Sequence, residues 1–285
     1  MKIDSHQHFW QYDPGRHSWI TDPMAVLKRD FLPPDLNREL QASGVGASIA
    51  VQADQSEDET LFLLDLGKRF SAVAGVVGWV DLCADDVSKR LESFSRYDKL
   101  RGFRHVVQDE PDDRFMLRKS FVRGIAALRE FEFTYDILVY PRQLPAAIEL
   151  VAKFPEQPFV IDHIAKPPIK SGETATWASN MREIASAPNV FCKLSGMLTE
   201  ADWVHWTQDN LRPYLDIVFE AFTLDRLMFG SDWPVCLLAG SYGQVKQVIE
   251  TYVKNLSGAE KENIFGSNAA RFYGLTLPHG LTTQK

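Results

Sequence analysis

Two histidines near the start of the chain have the clearest capacity for chemistry. His6 and His8 are separated by one residue within Lys2–His8, a segment that we predict to be the first strand. Residues i and i+2 of a strand point to the same face, so both imidazoles face one side. Two imidazoles held together can share a metal ion or donate jointly to one oxygen. This spacing favours a catalytic pair over two exposed histidines at a frayed terminus.

Polar residues also stand at the ends of later predicted strands. Asp232 follows an apolar run and precedes Pro234, where a carboxylate can act as a general base or cap a turn. His163 is either a third ligand or donor, or a satisfied core histidine. Asp162 comes directly before it, and strand alternation predicts that Asp162 faces the helices in a salt bridge or cap.

Cations and aromatic rings near these strand ends are candidates for substrate contacts. A cation on a buried strand needs a partner or a polar cavity, so Arg104 and Lys193 are either substrate ligands or members of internal ion pairs. Only one of Arg104 and His105 should point inward, and we favour Arg104. Because rings pack on the apolar faces of sugars, we expect two or three of five aromatic residues in the site: Trp10, Trp19, Trp79, Tyr140 and Trp233.

Eight short β-rich runs recur along the chain, and helical spacing lies between most of them. Most runs are near-continuous in Val, Ile, Leu and Phe, as in strands buried on both faces of a parallel sheet. This pattern predicts a single (β/α)8 TIM barrel over residues 1–285, regular or distorted. An open doubly wound sheet is the alternative, although no glycine-rich phosphate loop follows the first run. The runs are Lys2–His8, Gly46–Ala53, Val73–Val80, Leu100–Val107, Phe133–Tyr140, Pro158–Ala165, Asn189–Gly196 and Leu227–Pro234.

Capping signals and composition predict the connections between these strands. A capping box over Ser56–Glu59 predicts one helix, and Pro145 begins another that runs to about Lys153. Further helices are expected near residues 174–186, 208–222, 242–255 and 258–265. Two segments, residues 9–34 and 108–117, are expected to be long loops over the catalytic face of the barrel. The acidic residues 109–113 within the second are expected to form a solvated turn.

The composition excludes several classes of protein. With 38 acidic and 31 basic residues the formal net charge is −7, which disfavours binding to nucleic acid or anionic membranes. The sequence lacks a signal-peptide pattern and any apolar run long enough to span a membrane, so we expect a soluble, cytoplasmic protein. Cys83, Cys192 and Cys236 are expected to be reduced and buried. A homodimer is compatible with a barrel of this size.

Five motifs in order resemble the sugar-lactonase branch of the amidohydrolase superfamily, which contains L-fuconolactonases, L-rhamnonolactonases and pyrone-dicarboxylate lactonases. The resemblance covers essentially the whole chain. It implies a TIM-barrel hydrolase of carbohydrate catabolism that opens a sugar lactone. It also implies that Asp232 deprotonates water while His6, His8 and His163 polarise the lactone carbonyl without a metal. The motifs are Ile3–Trp10, Val76–Leu82, Val160–Pro167, Cys192–Gly196 and Leu227–Pro234.

Departures from metal-dependent amidohydrolases bear on the cofactor. Those enzymes carry a carboxylated Lys or a Glu on strand four and histidines on strands five and six, whereas Tyr140 ends strand five here. A binuclear centre is therefore disfavoured, while one zinc on His6, His8, His163 and Asp232 stays open. The expected enzyme is a lactonase that requires no cofactor. Its predicted substrate contacts are Arg104, Trp10, Tyr140, Lys193 and Trp233.

Two other functions compete with the lactonase hypothesis. The first is a mononuclear zinc-dependent decarboxylase or hydrolase that acts on an aromatic or muconate-type acid. Relatives of that kind carry another histidine around strand six or seven, where this chain has Lys193. The second is a sugar-acid binding protein without activity, which the intact Asp232 and histidines disfavour. L-Fucono- and L-rhamnono-lactones are the expected substrates, and the sequence leaves the sugar and the ring size open.

Overall fold

Eight parallel strands follow one another around a barrel in the same order as along the chain. A computed structural model of the protein describes residues 1–276, so residues 277–285 of the predicted domain lie outside the described part. All eight predicted strands are present, which confirms the predicted (β/α)8 barrel. Their bounds are β1 Ile3–Gln7, β2 Ala47–Val51, β3 Val73–Gly78, β4 Leu100–His105, β5 Thr134–Ile137, β6 Phe159–Ile161, β7 Val190–Leu194 and β8 Leu227–Phe229.

The first strand closes the barrel against the segment that follows the last strand. The backbone N–H of His8 donates to the carbonyl of Trp233 at 2.7 Å, and that of Asp232 donates to the carbonyl of His6 at 2.8 Å. The buried Asp4 carboxylate adds two bonds, from the backbone N–H of Ser231 at 2.8 Å and from its hydroxyl at 2.6 Å. Closure therefore brings the segment with His6 and His8 next to Asp232 and excludes an open sheet.

Several strands end earlier than the hydrophobic pattern predicts. β6 ends at Ile161 rather than at residue 165, and β8 ends at Phe229 rather than at residue 234. The predicted runs extend past both of these ends, but the backbones of residues 162–165 and 230–234 leave the sheet. His163 and Asp232 have positive φ angles of 54° and 57°, which are incompatible with a continuing strand. The departure turns their side chains towards one cavity.

Helices surround the barrel and pack their apolar faces against it. The helices predicted from capping and spacing are confirmed, although the one expected at residues 258–265 passes into a π-turn at Asn263–Ser267. At Ser56 the hydroxyl accepts from the Glu59 N–H at 3.2 Å, which is one half of the predicted capping box, whereas the Glu59 carboxylate accepts from the N–H groups of Ala53 and Asp54. The helices are α1 Pro33–Ser43, α2 Glu57–Arg69, α3 Val87–Ser95, α4 Lys119–Leu128, α5 Leu144–Lys153, α6 Ala175–Ala185, α7 Met197–Glu200, α8 Gln208–Ala221, α9 Tyr242–Tyr252, α10 Gly258–Glu262 and α11 Asn268–Phe272.

The two predicted long loops contain only short 3-10 turns. Residues 9–32 carry one at Asp22–Leu27, and the second loop carries two, at Val107–Asp109 and Phe115–Leu117. Cys83, Cys192 and Cys236 are free thiols, and the latter two are buried while Cys83 is partly exposed. Among the helices of residues 1–276, none combines the length and hydropathy needed to cross a bilayer.

Gly124 in α4 tests how tightly the helices pack on the loops beneath them. A Cβ at this buried position would overlap the backbone carbonyl of Leu82, which cannot move without shifting its loop. We expect Gly124→Ala to lower the free energy of unfolding by about 1–3 kcal/mol despite the higher helix propensity of alanine. Gly258→Ala in α10, where a Cβ meets nothing within 4 Å, is the matched control and should not destabilise the fold. Urea unfolding followed by circular dichroism measures both; equal stabilities would refute the packing argument.

Candidate active site

A cavity of about 590 Å³ opens at the carboxyl ends of the strands. His8, Arg104, His163 and Asp232 line its barrel side, and fully buried His6 lies directly behind them. Both long loops contribute to the walls, as predicted. The loop 9–32 supplies Arg16, Ser18, Trp19 and Met24, and the acidic loop supplies Gln108 and Asp109. Asp109 is exposed, as a solvated turn predicts, and it also borders the cavity.

Three imidazoles converge on the carboxylate of Asp232. The Nε2 atoms of His6 and His8 lie 3.1 Å apart. Oδ1 of Asp232 is 3.3 Å from Nε2 of His8 and 3.9 Å from Nε2 of both His6 and His163. His6 and His8 thus lie side by side, as their spacing predicts, and closure of the barrel brings the Asp232 carboxylate next to them. Such a group can bind one cation or surround one reacting oxygen.

The hydrogen bond on the far side of His8 determines what this imidazole presents to the cavity. Its Nδ1 lies 2.8 Å from the carbonyl oxygen of Val51 at the end of β2. A carbonyl only accepts, so Nδ1 carries a proton and neutral His8 presents a lone pair at Nε2. His8 therefore donates towards the cavity only as an imidazolium, while the neutral ring is suited to bind a metal. Neutral His8 therefore cannot polarise a carbonyl directly, so the expectation that all three histidines do so holds only when His8 is protonated.

His163 lies on a left-handed turn that the sequence pattern does not reveal. Four consecutive residues, His163 to Lys166, have φ angles of 54°, 47°, 58° and 46°. Non-glycine residues rarely adopt this conformation, at a cost of about 1–2 kcal/mol each. Two contacts hold the turn: Ser195 Oγ lies 2.9 Å from Nδ1 of His163, and the Trp177 indole N–H donates to the carbonyl of Ile164 at 2.8 Å. Backbone strain of this kind is concentrated at functional sites.

Asp162 points into the barrel, contrary to the alternation rule that placed it among the helices. Because β6 ends at Ile161, its side chain turns inward and is completely buried. Its carboxylate lies 3.0 Å from the Arg104 guanidinium, 2.9 Å from the Lys193 ammonium and 3.2 Å from Nδ1 of His6. The expected salt bridge exists, but it lies directly beneath the histidine cluster.

Lys193 belongs to this buried layer and does not line the cavity, so the structure places it apart from the other predicted substrate contacts. Its Nζ pairs with the carboxylates of Asp136 and Asp162 and lies 3.2 Å from Nδ1 of His6. The Tyr273 hydroxyl donates to Asp136 at 2.9 Å. Lys193 is fully buried because two carboxylates surround it. This is the internal ion pair that the sequence offered as the alternative to a substrate contact.

The structure also sorts the other predicted substrate contacts. Arg104 points inward as favoured, with Nη1 3.3 Å from Nε2 of His6, whereas His105 pairs with Glu110 at 2.8 Å outside the cavity. Tyr140 lines the cavity, and so does Trp19. Trp10 and Trp233 do not: both are buried against Phe31 with ring centres 5.4 and 5.3 Å from it, so they support the cavity wall from behind. Trp79 is likewise absent from the cavity lining.

Burial and neighbouring charges set the ionisation of the cluster. Burial lowers the pKa of His163 to about 4 and that of His6 well below its ordinary value, so both rings are neutral at pH 7. Burial alone would raise the pKa of Asp232, but His163 and His8 outweigh it and hold that pKa below its usual range. Asp232 is therefore an ionised base beside the neutral imidazoles of His6 and His163, the state required of a proton acceptor or a metal ligand.

Sequence reasoning missed part of the cavity wall. Lys166, Glu200 and Trp203 all line the cavity, and Lys166 pairs with Glu200 at 2.8 Å. Lys166 lies within the motif Val160–Pro167, but a strand pattern gives no role to a residue five positions beyond Ile161. Glu200 and Trp203 follow β7 on a short helix and loop, where neither periodicity nor spacing distinguishes them from surface residues.

The donor set fits one zinc ion. His6, His8 and Asp232 offer ligand atoms within 4.8 Å of one another, and so do His6, Asp162 and His163. Ligand atoms around a tetrahedral zinc are about 3.3 Å apart, which matches the 3.1 and 3.3 Å separations around His8. His8 also has the outer hydrogen bond to a carbonyl that orients metal-binding histidines.

The barrel and this cluster define a member of the amidohydrolase family. The family model matches residues 3–275, so the chain belongs to the amidohydrolases, as its motifs predicted. Among curated proteins it is 44% identical to an L-fucono-1,5-lactonase of Burkholderia multivorans, over 98% of this chain and 97% of that protein. It is 39% identical to an L-fucono-1,5-lactonase of Burkholderia ambifaria, over 98% of each.

Solved structures agree with this assignment. A crystal structure of an amidohydrolase from Burkholderia multivorans with bound zinc is 44% identical and superposes with a TM-score of 0.94. The match covers 97% of this chain and all of that one. The zinc is a property of that relative, and it agrees with the donor set found in this chain.

Gly196 provides a test of how closely the site depends on the left-handed turn. Its φ is +64°, and a Cβ would lie 2.5 Å from Nδ1 of His163. We expect Gly196→Ala to displace this ring and lower kcat/KM at least about 100-fold, as misplacements of about 1 Å do. Gly172→Ala is the matched control because Gly172 also has positive φ, +77°, but its Cβ would meet nothing within 4 Å. Equal losses in the two variants would mean that backbone strain, and not the position of His163, is responsible.

Proposed function

We propose that the protein is a lactonase that opens a sugar lactone of the L-fucono-1,5-lactone type to its sugar acid. The observation that carries this proposal is an ionised Asp232 within 4 Å of three imidazoles, in a cavity with room for one sugar ring. Two relatives that match over nearly their full lengths are named L-fucono-1,5-lactonases. We propose one catalytic domain over residues 1–285, and a homodimer in the cytoplasm stays a prediction.

Asp232 is the proposed general base. Its carboxylate faces the cavity, and its lowered pKa keeps it ionised at neutral pH. A water molecule between Asp232 and the lactone carbonyl transfers a proton to the carboxylate as its oxygen attacks the acyl carbon. General-base assistance of this kind contributes about 10²–10⁴-fold to the rate.

Negative charge develops on the lactone carbonyl oxygen as the water attacks. Arg104 is the permanent cation that both lines the cavity and contacts the histidine cluster. We propose that its guanidinium, together with Nε2 of His163, stabilises the oxyanion of the tetrahedral intermediate. One preorganised donor of this kind is worth about 3–4 kcal/mol. When the ring C–O bond breaks, the proton held by Asp232 passes to the departing alkoxide, which becomes a hydroxyl of the product acid.

His6, His8 and Asp232 would hold a zinc ion, with His163 at the edge of the set. When bound, zinc would polarise the lactone carbonyl and acidify a water molecule. The residues beneath the site act in either case: Asp162 and Lys193 keep His6 in place, and Val51 keeps the lone pair of neutral His8 directed at the cavity. An experiment can therefore test whether the enzyme requires zinc separately from which reaction it catalyses.

The role of Asp232 predicts the behaviour of one substitution. Asp232→Asn keeps the shape of the side chain but cannot accept a proton, so kcat should fall by about 10²–10⁴-fold while the fold persists. Thermal unfolding and an acid-release assay with a pH indicator measure the two properties. Asp85→Asn, a fully exposed aspartate outside the cavity lining, is the control and should retain full activity. Full activity of Asp232→Asn would exclude Asp232 as the base.

The ionisation of Asp232 predicts the acid side of the pH profile. Because its folded-state pKa is lowered, the carboxylate stays charged at every pH above that lowered value. We therefore expect kcat/KM to show no acid limb that belongs to Asp232 between pH 5 and 8. Stopped assays across this range, corrected for spontaneous lactone hydrolysis, check this. An acid limb near pH 6 that moves in Asp232→Glu would contradict it.

A panel of substrates tests the proposed reaction. Chelator-treated protein and zinc-supplemented protein are each given aldono-1,4- and 1,5-lactones of the L-fuco and L-rhamno series. We expect L-fucono-1,5-lactone to be opened with the highest kcat/KM. Equal rates with and without zinc would assign carbonyl polarisation to Arg104 and His163, and activity with zinc alone would assign it to the metal. Silence on every lactone in both states would overturn the proposal and direct attention to decarboxylation of aromatic acids.

A further inference from the structure

The left-handed turn brings a second side chain into the cavity together with His163. A left-handed turn of about three residues per turn places residues i and i+3 on one side. The backbone N–H of Lys166 donates to the carbonyl of His163 at 2.8 Å and closes this turn. Both residues line the cavity. The mechanism uses His163 but gives no role to Lys166, whose backbone is equally strained, with a φ of 46°.

Lys166 forms an ion pair inside the cavity wall. Its Nζ lies 2.8 Å from Oε1 of Glu200, at the end of α7, and only 16% and 18% of the two side chains are exposed. Burial opposes the charge of Lys166, but the Glu200 carboxylate outweighs it and raises the pKa of the amine. The pair is therefore charged, partly desolvated and open to whatever fills the cavity.

Aromatic rings flank this pair. The ring centre of Tyr140 is 5.4 Å from Nζ of Lys166, and Trp203 and Trp19 also line the cavity. An ammonium only donates hydrogen bonds and a carboxylate only accepts them, so together they match two neighbouring hydroxyls, one accepting and one donating. Aromatic faces pack against the C–H faces of a sugar ring. A lactone without hydroxyls offers nothing to the ion pair.

We propose that the Lys166–Glu200 pair is the part of the cavity that recognises a vicinal diol of the lactone ring and so selects polyhydroxylated lactones over simple ones. This inference rests on the proposed lactonase function and deepens it by assigning selectivity to two named residues. The pair touches the sugar hydroxyls, while Asp232, Arg104 and His163 act on the acyl group. Loss of the pair should therefore affect binding of the sugar and leave the chemical step in place.

The test compares two substrates in Lys166→Met and Glu200→Gln. For L-fucono-1,5-lactone we expect KM to rise about 30-fold in each variant, because a hydrogen bond to a charged group is lost. We expect kcat to change less than about threefold, and kcat/KM for δ-valerolactone, which has no hydroxyls, to change less than about twofold. Lys166→Arg, which keeps the charge, should recover part of the loss. Lys170→Met is the matched control, since Lys170 is 72% exposed and pairs with Asp202 outside the cavity lining.

Two kinetic outcomes would overturn the inference. Equal losses on both lactones would place Lys166 at the acyl group or in support of His163, and unchanged kinetics on both would exclude a contact with substrate. Binding of L-fucose, which has the same hydroxyls but no acyl carbon, gives a readout independent of catalysis through quenching of tryptophan fluorescence. Binding that depends on Lys166 without any lactonase activity would refute the proposed function but retain this inference. No binding and no hydrolysis by the wild-type protein would refute both.

Discussion

The site depends on a set of charges buried beneath it. Asp136, Asp162, Lys193 and Arg104 occupy the barrel interior at 4% exposure or less, two carboxylates against two cations. An isolated charge at this depth is very costly, so each member is tolerated only because the others are present. The layer contacts His6 through Asp162 and Lys193, each 3.2 Å from Nδ1. The position of the His6 imidazole is thus a consequence of how the barrel neutralises its own interior.

Above this layer the barrel stores strain where it holds reacting groups. Among the described residues, six that are not glycine have positive φ, and five of them lie at His163–Lys166 and at Asp232. Neighbouring contacts stabilise these turns: Ser195 and Trp177 hold the first, and the backbone bond from Asp232 to His6 holds the second. Gly196 leaves the space that the His163 ring occupies. Packing energy of the surrounding fold therefore keeps the base and its partners in a conformation that they would not adopt alone.

The cavity combines two chemistries on its two sides. Asp232, His8, His163 and Arg104 line the barrel side, which we propose acts on the acyl group, whereas the outer wall carries rings and the Lys166–Glu200 pair. The acyl side is suited to any lactone, and its donor set also fits zinc. The outer wall is the part that we propose distinguishes sugar lactones from simple ones. In this proposal different residues determine which reaction occurs and which substrate is accepted.

The sequence alone determined the fold and the polar residues that meet at the strand ends, because strand periodicity and polar residues after apolar runs are local signals. It predicted all eight strands, the shared face of His6 and His8, and the inward direction of Arg104. It misplaced Asp162, Lys193, Trp10 and Trp233, and it missed Lys166 and Glu200. Tertiary structure decided these because strand alternation ends where the backbone turns left-handed, and because burial of a cation depends on carboxylates from other strands. Neither constraint is visible within one segment of the chain.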